Sequence, residues 1–199
     1  TLKDMDQYFK AQKPTAKNAY TGKYKDYNLI QITAEGFSPY AIDEKLTPTL
    51  YKLANEGYQF KNFYTPLWEL STSDGEYAIC HSQIPKSGVW SMKESSNHAL
   101  PFAMGNQLKA LGYHTMAFHN HDYDFYDRQF SHPNLGYTYE AKGQGLDVTD
   151  TWPESDLEMM EMTVGRYVDH QPFHTYYMTV SGHMNYSFKE NDMSKKNEA

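Results

Sequence analysis

Asn28-Leu29-Ile30-Gln31-Ile32-Thr33-Ala34-Glu35-Gly36 is a short apolar run that ends in a carboxylate and a glycine, and it decides the fold. Such a run, closed by a polar cluster, predicts a buried strand with Glu35 at its carboxyl end. Beyond it, Thr47-Pro48 sets a capping residue before a first-turn proline, and Leu50, Leu53 and Ala54 follow at helical spacing as far as Gly57. Strands and helices then keep alternating. Tyr58 to Tyr64 predicts a second strand, Ser71-Thr72-Ser73-Asp74-Gly75-Glu76 a loop that opens a helix through Tyr77, Ala78 and Ile79. Pro101 to Leu111 predicts a helix with Phe102, Met104, Leu108 and Leu111 inward, followed by a strand over Tyr113 to Phe118. His119 to Arg128 is an aromatic, histidine-rich loop or short helix, Pro153 to Val168 a long helical pattern, and Phe173 to Val180 a strand ending in Ser181-Gly182-His183. The expected fold is therefore α/β, a mixed, mostly parallel sheet flanked by helices, with the strand near 28–34 central because it is the most continuously apolar.

Composition says what fills such a core. Leu, Ile, Val and Phe together make up 33 of the 199 residues, below the roughly one-fifth level at which disorder becomes a live reading. The 18 Tyr, 10 Met and 3 Trp reverse that reading, and predict a core of aromatic and thioether side chains. A net charge of −7 makes nucleic acid an unlikely partner. No stretch is long and apolar enough for a membrane span or a signal peptide, so the chain itself is expected to be soluble. The single Cys80 excludes an internal disulfide and a multi-cysteine zinc site. Residues 1–27, polar and rich in Lys and Tyr, predict an irregular lead-in or linker, and 189–199 a polar tail.

In α/β sheets the ligand site lies beyond the carboxyl ends of the strands. Glu35, the Thr72 loop, His119 and His183 each fall just after a predicted strand and so gather at one edge. Glu35 suits a hard divalent cation, although a solvated or capping carboxylate is the simpler role. Thr72 could serve as a nucleophile beside a metal, or as part of a helix cap. His119, His121 and His183 could donate to an anion, or be satisfied structural groups. Arg128 has the geometry for phosphate or sulfate, or for a surface ion pair. Asp169-His170 precedes Pro172 in a predicted turn, and Cys80 is expected to be a buried, inert thiol.

Taken in order, Asn28 to Phe37, Thr47 to Gly57, Phe60 to Tyr64 and Thr72 to Tyr77 resemble the extracellular domain of lipoteichoic acid synthases, within the sulfatase and alkaline phosphatase superfamily. Phe118-His119-Asn120, leading to Phe125-Tyr126-Asp127-Arg128, resembles the family's substrate loop, and Thr179 to His183 its later histidine strand. The resemblance covers roughly residues 28–188. It implies that Glu35 and Thr72 are metal ligands, that Thr72 is also the nucleophile, and that His119, Arg128, His183 and Tyr126 bind substrate. It also implies a divalent cation, typically manganese, with magnesium, zinc or calcium as alternatives. The donor would be a phospholipid head group like that of phosphatidylglycerol, and the acceptor a glycerol phosphate or a glycan. The parent protein would act at the extracellular face of the bacterial cell membrane, attached through segments absent from this chain.

Alternatives are a phosphoethanolamine transferase, a phosphodiesterase or another sulfatase-family hydrolase, or a non-catalytic anion-binding module. Formylglycine chemistry is disfavoured, because Ser71-Thr72-Ser73-Asp74-Gly75 lacks the proline and arginine of that frame. Tyr126 stands where the family carries tryptophan, and His121 replaces an acidic residue. The family's later Asp-His metal pair has no counterpart after His183. The chain thus resembles the N-terminal part of a catalytic domain, expected on its own to bind metal weakly and turn over slowly or not at all.

Overall fold

The computed structural model describes residues 1–64 and 70–198. Five strands, β1 (Leu29–Thr33), β2 (His114–Asp122), β3 (Thr138–Lys142), β4 (Gly145–Leu146) and β5 (Phe173–Met178), form one sheet in the order β1-β5-β2-β3-β4. Every pairing is parallel, which agrees with the expected α/β class. All six residues of β5 are buried, Phe-His-Thr-Tyr-Tyr-Met, as befits a strand covered on both faces.

Side chains alternate between those faces. Tyr176 and Met178 of β5 join Ala117, Tyr137, Tyr139 and Cys80 in one core cluster. Phe173 and Tyr177 join Met116, Phe118, Met159 and Tyr167 in the other. The first cluster is roofed by α3 (Ser71–His81), α4 (Ser91–Ser95), α5 (Met104–Ala110) and α6 (Arg128–Asn134), and the second by α7 (Asp156–Thr163). Tyrosine and methionine do fill the interior where most proteins use leucine and valine.

Several expectations change. The strand near 28–34 is at an edge, with β5 its one ladder partner among the described residues, and Leu29, Ile30 and Ile32 stay 38–51% exposed. Continuous apolarity marks a strand meant for burial, but position in the sheet is set by which chain segments are at hand to flank it. Tyr58 to Tyr64 forms no strand and is exposed. Residues 71–76 are the first turns of α3 rather than a loop, because Leu70 takes the N-cap position and leaves Ser71 and Thr72 inside the helix. Phe102 and Leu111, read as inward, are exposed at the two ends of α5. β2 runs on to Asp122, so His119 and His121 sit within a strand. The lead-in contains a capped helix, α1 (Leu2–Ala11), without a buried residue. The helix after Pro153 is α7 alone, followed by one 3-10 turn. α2 (Pro48–Glu56) matches its predicted bounds, with Thr47 and Gly57 at its caps.

The polar tail is tied down as well. Asn191 is buried, and Asp192 exchanges two hydrogen bonds with the backbone of Trp152, its own N–H donating at 2.7 Å and its carboxylate accepting at 2.9 Å. Ala199 lies outside the described residues.

Candidate functional site

At the carboxyl edge of the sheet a cavity of about 750 Å³ is lined by Glu35, Thr72, His119, Tyr126, Arg128 and His183, the six residues that the resemblance assigns to metal and substrate. His121, Phe125 and Trp152 also line it. Three strand ends and the start of a helix converge here because all the pairings are parallel, so their carboxyl ends point the same way.

Thr72 lies in the first turn of α3, and its hydroxyl donates to Glu35 Oε1 at 2.6 Å. The turn carrying Glu35 is pinned to the loop after β5: Glu35 N–H donates to Thr179 Oγ1 at 3.2 Å, and the Tyr186 hydroxyl donates to the carbonyls of Gly36 and Gly182. That loop brings His183 Nε2 to 4.0 Å from the same Glu35 oxygen. The helix N-terminus places partial positive charge beside Thr72.

On the opposite wall Arg128 is fully buried and grips Glu76 of α3, with Nη2 at 2.7 Å and Nε at 3.0 Å from Oε2. Burial alone would raise the Glu76 carboxyl, but the Arg128 charge and His132, whose Nε2 lies 3.3 Å away, outweigh it and hold Glu76 well below the usual carboxylate range. The Tyr176 hydroxyl adds a bond to Glu76 Oε1 at 3.0 Å. Arg128 Nη1 is left for the Phe125 carbonyl at 3.2 Å and His119 Nε2 at 3.3 Å.

His119 Nδ1 faces the Met178 carbonyl at 3.0 Å, and because a carbonyl only accepts, that nitrogen carries the hydrogen. Burial, then the Arg128 charge, hold His119 well below the ordinary histidine range, so it is a neutral ring. Tyr126 and Asp127 both adopt left-handed backbone, φ 60° and 54°. This costly conformation packs the Tyr126 ring 5.3 Å from the Arg128 guanidinium and 5.7 Å from the Trp90 ring.

The wall closes on the remaining side through aromatic contacts. Trp152 stands 4.8 Å from the His183 ring and 5.4 Å from His121, which stands 6.1 Å from His119. Side-chain contacts thus run from Thr72 through Glu35, His183, Trp152, His121, His119 and Arg128 to Glu76, one turn along α3 from Thr72. Glu76, Trp152 and Glu154 were not singled out from the sequence. The i, i+4 spacing that puts Glu76 on the same helix face as Thr72 is the signal that could have found it.

Cys80 is buried, and its thiol is pushed far up by burial, as expected of an inert core cysteine. His170 is exposed and meets the His114 ring at a tilt, 4.7 Å between centroids, outside the cavity lining. Among the described residues no three His, Cys, Asp or Glu side chains form a metal cluster. Glu35 and Thr72 do offer two adjacent hard oxygen donors, the chemistry that suits magnesium, calcium or manganese. No helix among the described residues is long and apolar enough to cross a membrane.

Residues 28–198 match the family model described as Sulfatase. Among curated proteins the chain is similar to lipoteichoic acid synthase 1 of Bacillus subtilis (strain 168), 28% identical over 207 residues, which cover 92% of this chain and 30% of that protein. It is also similar to the lipoteichoic acid synthase-like protein YvgJ of the same organism, 25% identical with 86% of this chain and 29% of that protein covered. The crystal structure of the lipoteichoic acid synthase LtaP from Listeria monocytogenes superposes with a TM-score of 0.75 at 23% identity, covering 92% of this chain and 48% of that one, a likeness of fold. The chain spans about 30% of the length of the curated relatives it matches.

Proposed function

Because this chain belongs to the sulfatase family, we propose that it carries the nucleophile and anion pocket of a phosphoglycerol transferase, which takes glycerol phosphate from a phosphatidylglycerol-like lipid and passes it to a glycerol phosphate or glycan acceptor. The observation that carries this reading is the Thr72 hydroxyl, bonded to Glu35 at 2.6 Å at the start of a helix in a cavity that also holds Arg128, His119 and His183. The names of the similar proteins support the substrate class.

Glu35 and Thr72 would hold a divalent cation, manganese being the expected one, with the remaining positions going to water, phosphate oxygens or groups beyond the described residues. Such a cation lowers the pKa of the threonine hydroxyl and offsets phosphate charge. The chain's own groups do the rest. The first turn of α3 receives the phosphate that forms on Thr72, and its N–H groups stabilise that charge. Arg128 lines the cavity while Glu76 fixes the guanidinium plane, and His183 flanks Glu35 where the phosphate oxygens would crowd. Trp152, Phe125 and Tyr126 supply an apolar rim for the glycerol end of the lipid. The reaction would take place at the outer face of a bacterial membrane, where such lipids are presented.

The test is incubation of the intact protein with head-group-labelled phosphatidylglycerol, and separately with phosphatidylethanolamine, followed by peptide mapping. Label on the Thr72 peptide from phosphatidylglycerol, lost in Thr72→Ala, is the expected result. Label from phosphatidylethanolamine alone would make the enzyme a phosphoethanolamine transferase, and label from neither would end the transferase reading.

A further inference from the structure

The three histidines of the cavity differ in what their ring nitrogens do. Both nitrogens of His119 are engaged, Nδ1 at the Met178 carbonyl and Nε2 facing Arg128. His183 turns Nε2 toward Glu35 and Nδ1 toward the Met184 carbonyl. His121 is different. Its Nδ1 lies 2.9 Å from Glu154 Oε1, and among the described residues its Nε2 meets no hydrogen-bonding partner. The ring is 20% exposed on the cavity wall. We infer that His121, oriented by Glu154, is the general acid and base of the transfer, and this rests on the phosphoglycerol transferase reading above.

Glu154 is built for orientation. It is 1% exposed, and its Oε1 also accepts from Lys142 Nζ at 2.8 Å. Its backbone carbonyl accepts from Asn120 Nδ2 at 3.2 Å and Ser181 Oγ at 2.8 Å, which ties it to β2 and to the loop carrying His183. Burial would raise its carboxyl, but the bonds from His121 and Lys142 outweigh it and keep Glu154 ionised. An ionised carboxylate can only accept, so the His121 hydrogen sits on Nδ1 and the lone pair or second proton sits on Nε2. Phe125 and Trp152, with ring centroids 5.0 and 5.4 Å away, hold the imidazole edge-on. A histidine fixed through Nδ1 by a buried carboxylate, with Nε2 free in a cavity that also holds the nucleophile, is the arrangement that proton transfer requires.

The step balances. Thr72, its hydroxyl proton already released to solvent, attacks phosphorus through Oγ1, and the bond from phosphorus to the diacylglycerol oxygen breaks. That oxygen takes the proton from His121 Nε2 and leaves as neutral alcohol. In the second half the acceptor hydroxyl gives its proton to His121 Nε2 and attacks phosphorus, and the bond to Thr72 breaks. His121 ends protonated, as it began, and Thr72 ends ionised.

The test uses two esters that differ only in their need for an acid. Diacylglycerol leaves badly without a proton, whereas p-nitrophenolate leaves without one. In the intact protein His121→Asn keeps a donor toward Glu154, which guards the fold, but it cannot exchange protons. The expected result is that H121N slows labelling of Thr72 by phosphatidylglycerol by about 10²–10⁴-fold, while labelling by glycerol p-nitrophenyl phosphate changes only a few-fold. E154Q should show the same split to a smaller degree. Equal loss on both esters would give His121 a structural role and overturn the inference, as would unchanged labelling by the lipid. Wild-type protein that is inert toward both esters would instead overturn the transferase reading and this inference with it.

Discussion

Arg128 and Glu76, 52 residues apart in sequence, meet through two nitrogens at 2.7 and 3.0 Å with both side chains sealed from solvent. This pair joins the substrate-facing end of β2 and α6 to the helix that carries Thr72. It also spends most of the guanidinium on protein, Nη1 included, which meets the Phe125 carbonyl and His119 Nε2. Arg128 is as much a strut between two walls of the site as an anion donor.

Breaking that strut should be costly. Glu76→Ala leaves a buried guanidinium without its carboxylate, for which a loss of about 3–5 kcal/mol is expected. Urea denaturation followed by tryptophan fluorescence measures it. A loss below 1 kcal/mol would mean that water or another group replaces Glu76 at no cost.

Stability should fall with acid in two stages. His119, His132 and His174 are buried and held below the ordinary histidine value of 6.5, in each case chiefly by burial, so the folded state binds fewer protons than the unfolded one. Their contribution is present above about pH 6.5 and declines as pH falls below it. Glu76 and Glu154, held below the usual carboxylate range, add a second decline below about pH 4.5. Urea midpoints at pH 8, 7, 6, 5 and 4 should therefore drop steadily from pH 7 downward. In His174→Gln, which removes a ring bonded to the Tyr137 hydroxyl at 2.8 Å, the first stage should be shallower. A flat profile from pH 8 to 5 would contradict the neutral state assigned to these rings.

Much of this was legible in the sequence, and for physical reasons. Apolar runs ending in Glu35 and His183 reveal strands whose carboxyl ends must share an edge once the sheet is parallel. Pro48 and Gly57 carry their own start and stop chemistry and set the bounds of α2, whereas the Thr47 hydroxyl, at the N-cap, makes no cap bond and donates to the Ala41 carbonyl. What stayed hidden depends on partners distant in the chain. Nothing local in Thr138–Lys142, which reads Thr-Tyr-Glu-Ala-Lys, marks it as a strand beside β2. Glu154 reads as one more surface carboxylate after Pro153 until Lys142 and His121 arrive from two other strands. The edge position of β1 was misread for the same reason, since apolarity says that a strand seeks cover but not what supplies it.

Gly36 should tolerate no side chain. Its φ is +64°, and a Cβ there would overlap the Gly182 carbonyl oxygen, across the contact that sets Glu35 beside His183. Gly36→Ala is expected to lose about 1–3 kcal/mol from backbone strain alone. Labelling of Thr72 should fall further than stability does, because the turn must swing Glu35 away from the helix. A variant with wild-type labelling and a wild-type urea midpoint would show that the turn has slack the structure does not display.

Manganese binding should be weak and should depend on Glu35. A carboxylate and a hydroxyl supply two of the four to six positions that divalent cations fill, and a neutral hydroxyl adds little charge. Calorimetric titration of manganese into the 199-residue chain should therefore give shallow curves. Glu35→Gln should remove them, Thr72→Ala should weaken them, and glycerol phosphate should strengthen them by adding oxygens of its own. His121→Asn should leave them unchanged, since that ring contacts neither Glu35 nor Thr72. Electron paramagnetic resonance of the manganese, which broadens on binding, gives a second readout free of turnover. Tight one-to-one binding that survives E35Q would place the cation elsewhere, and Thr72 would then have to be activated by Glu35 acting as a base through the 2.6 Å hydrogen bond.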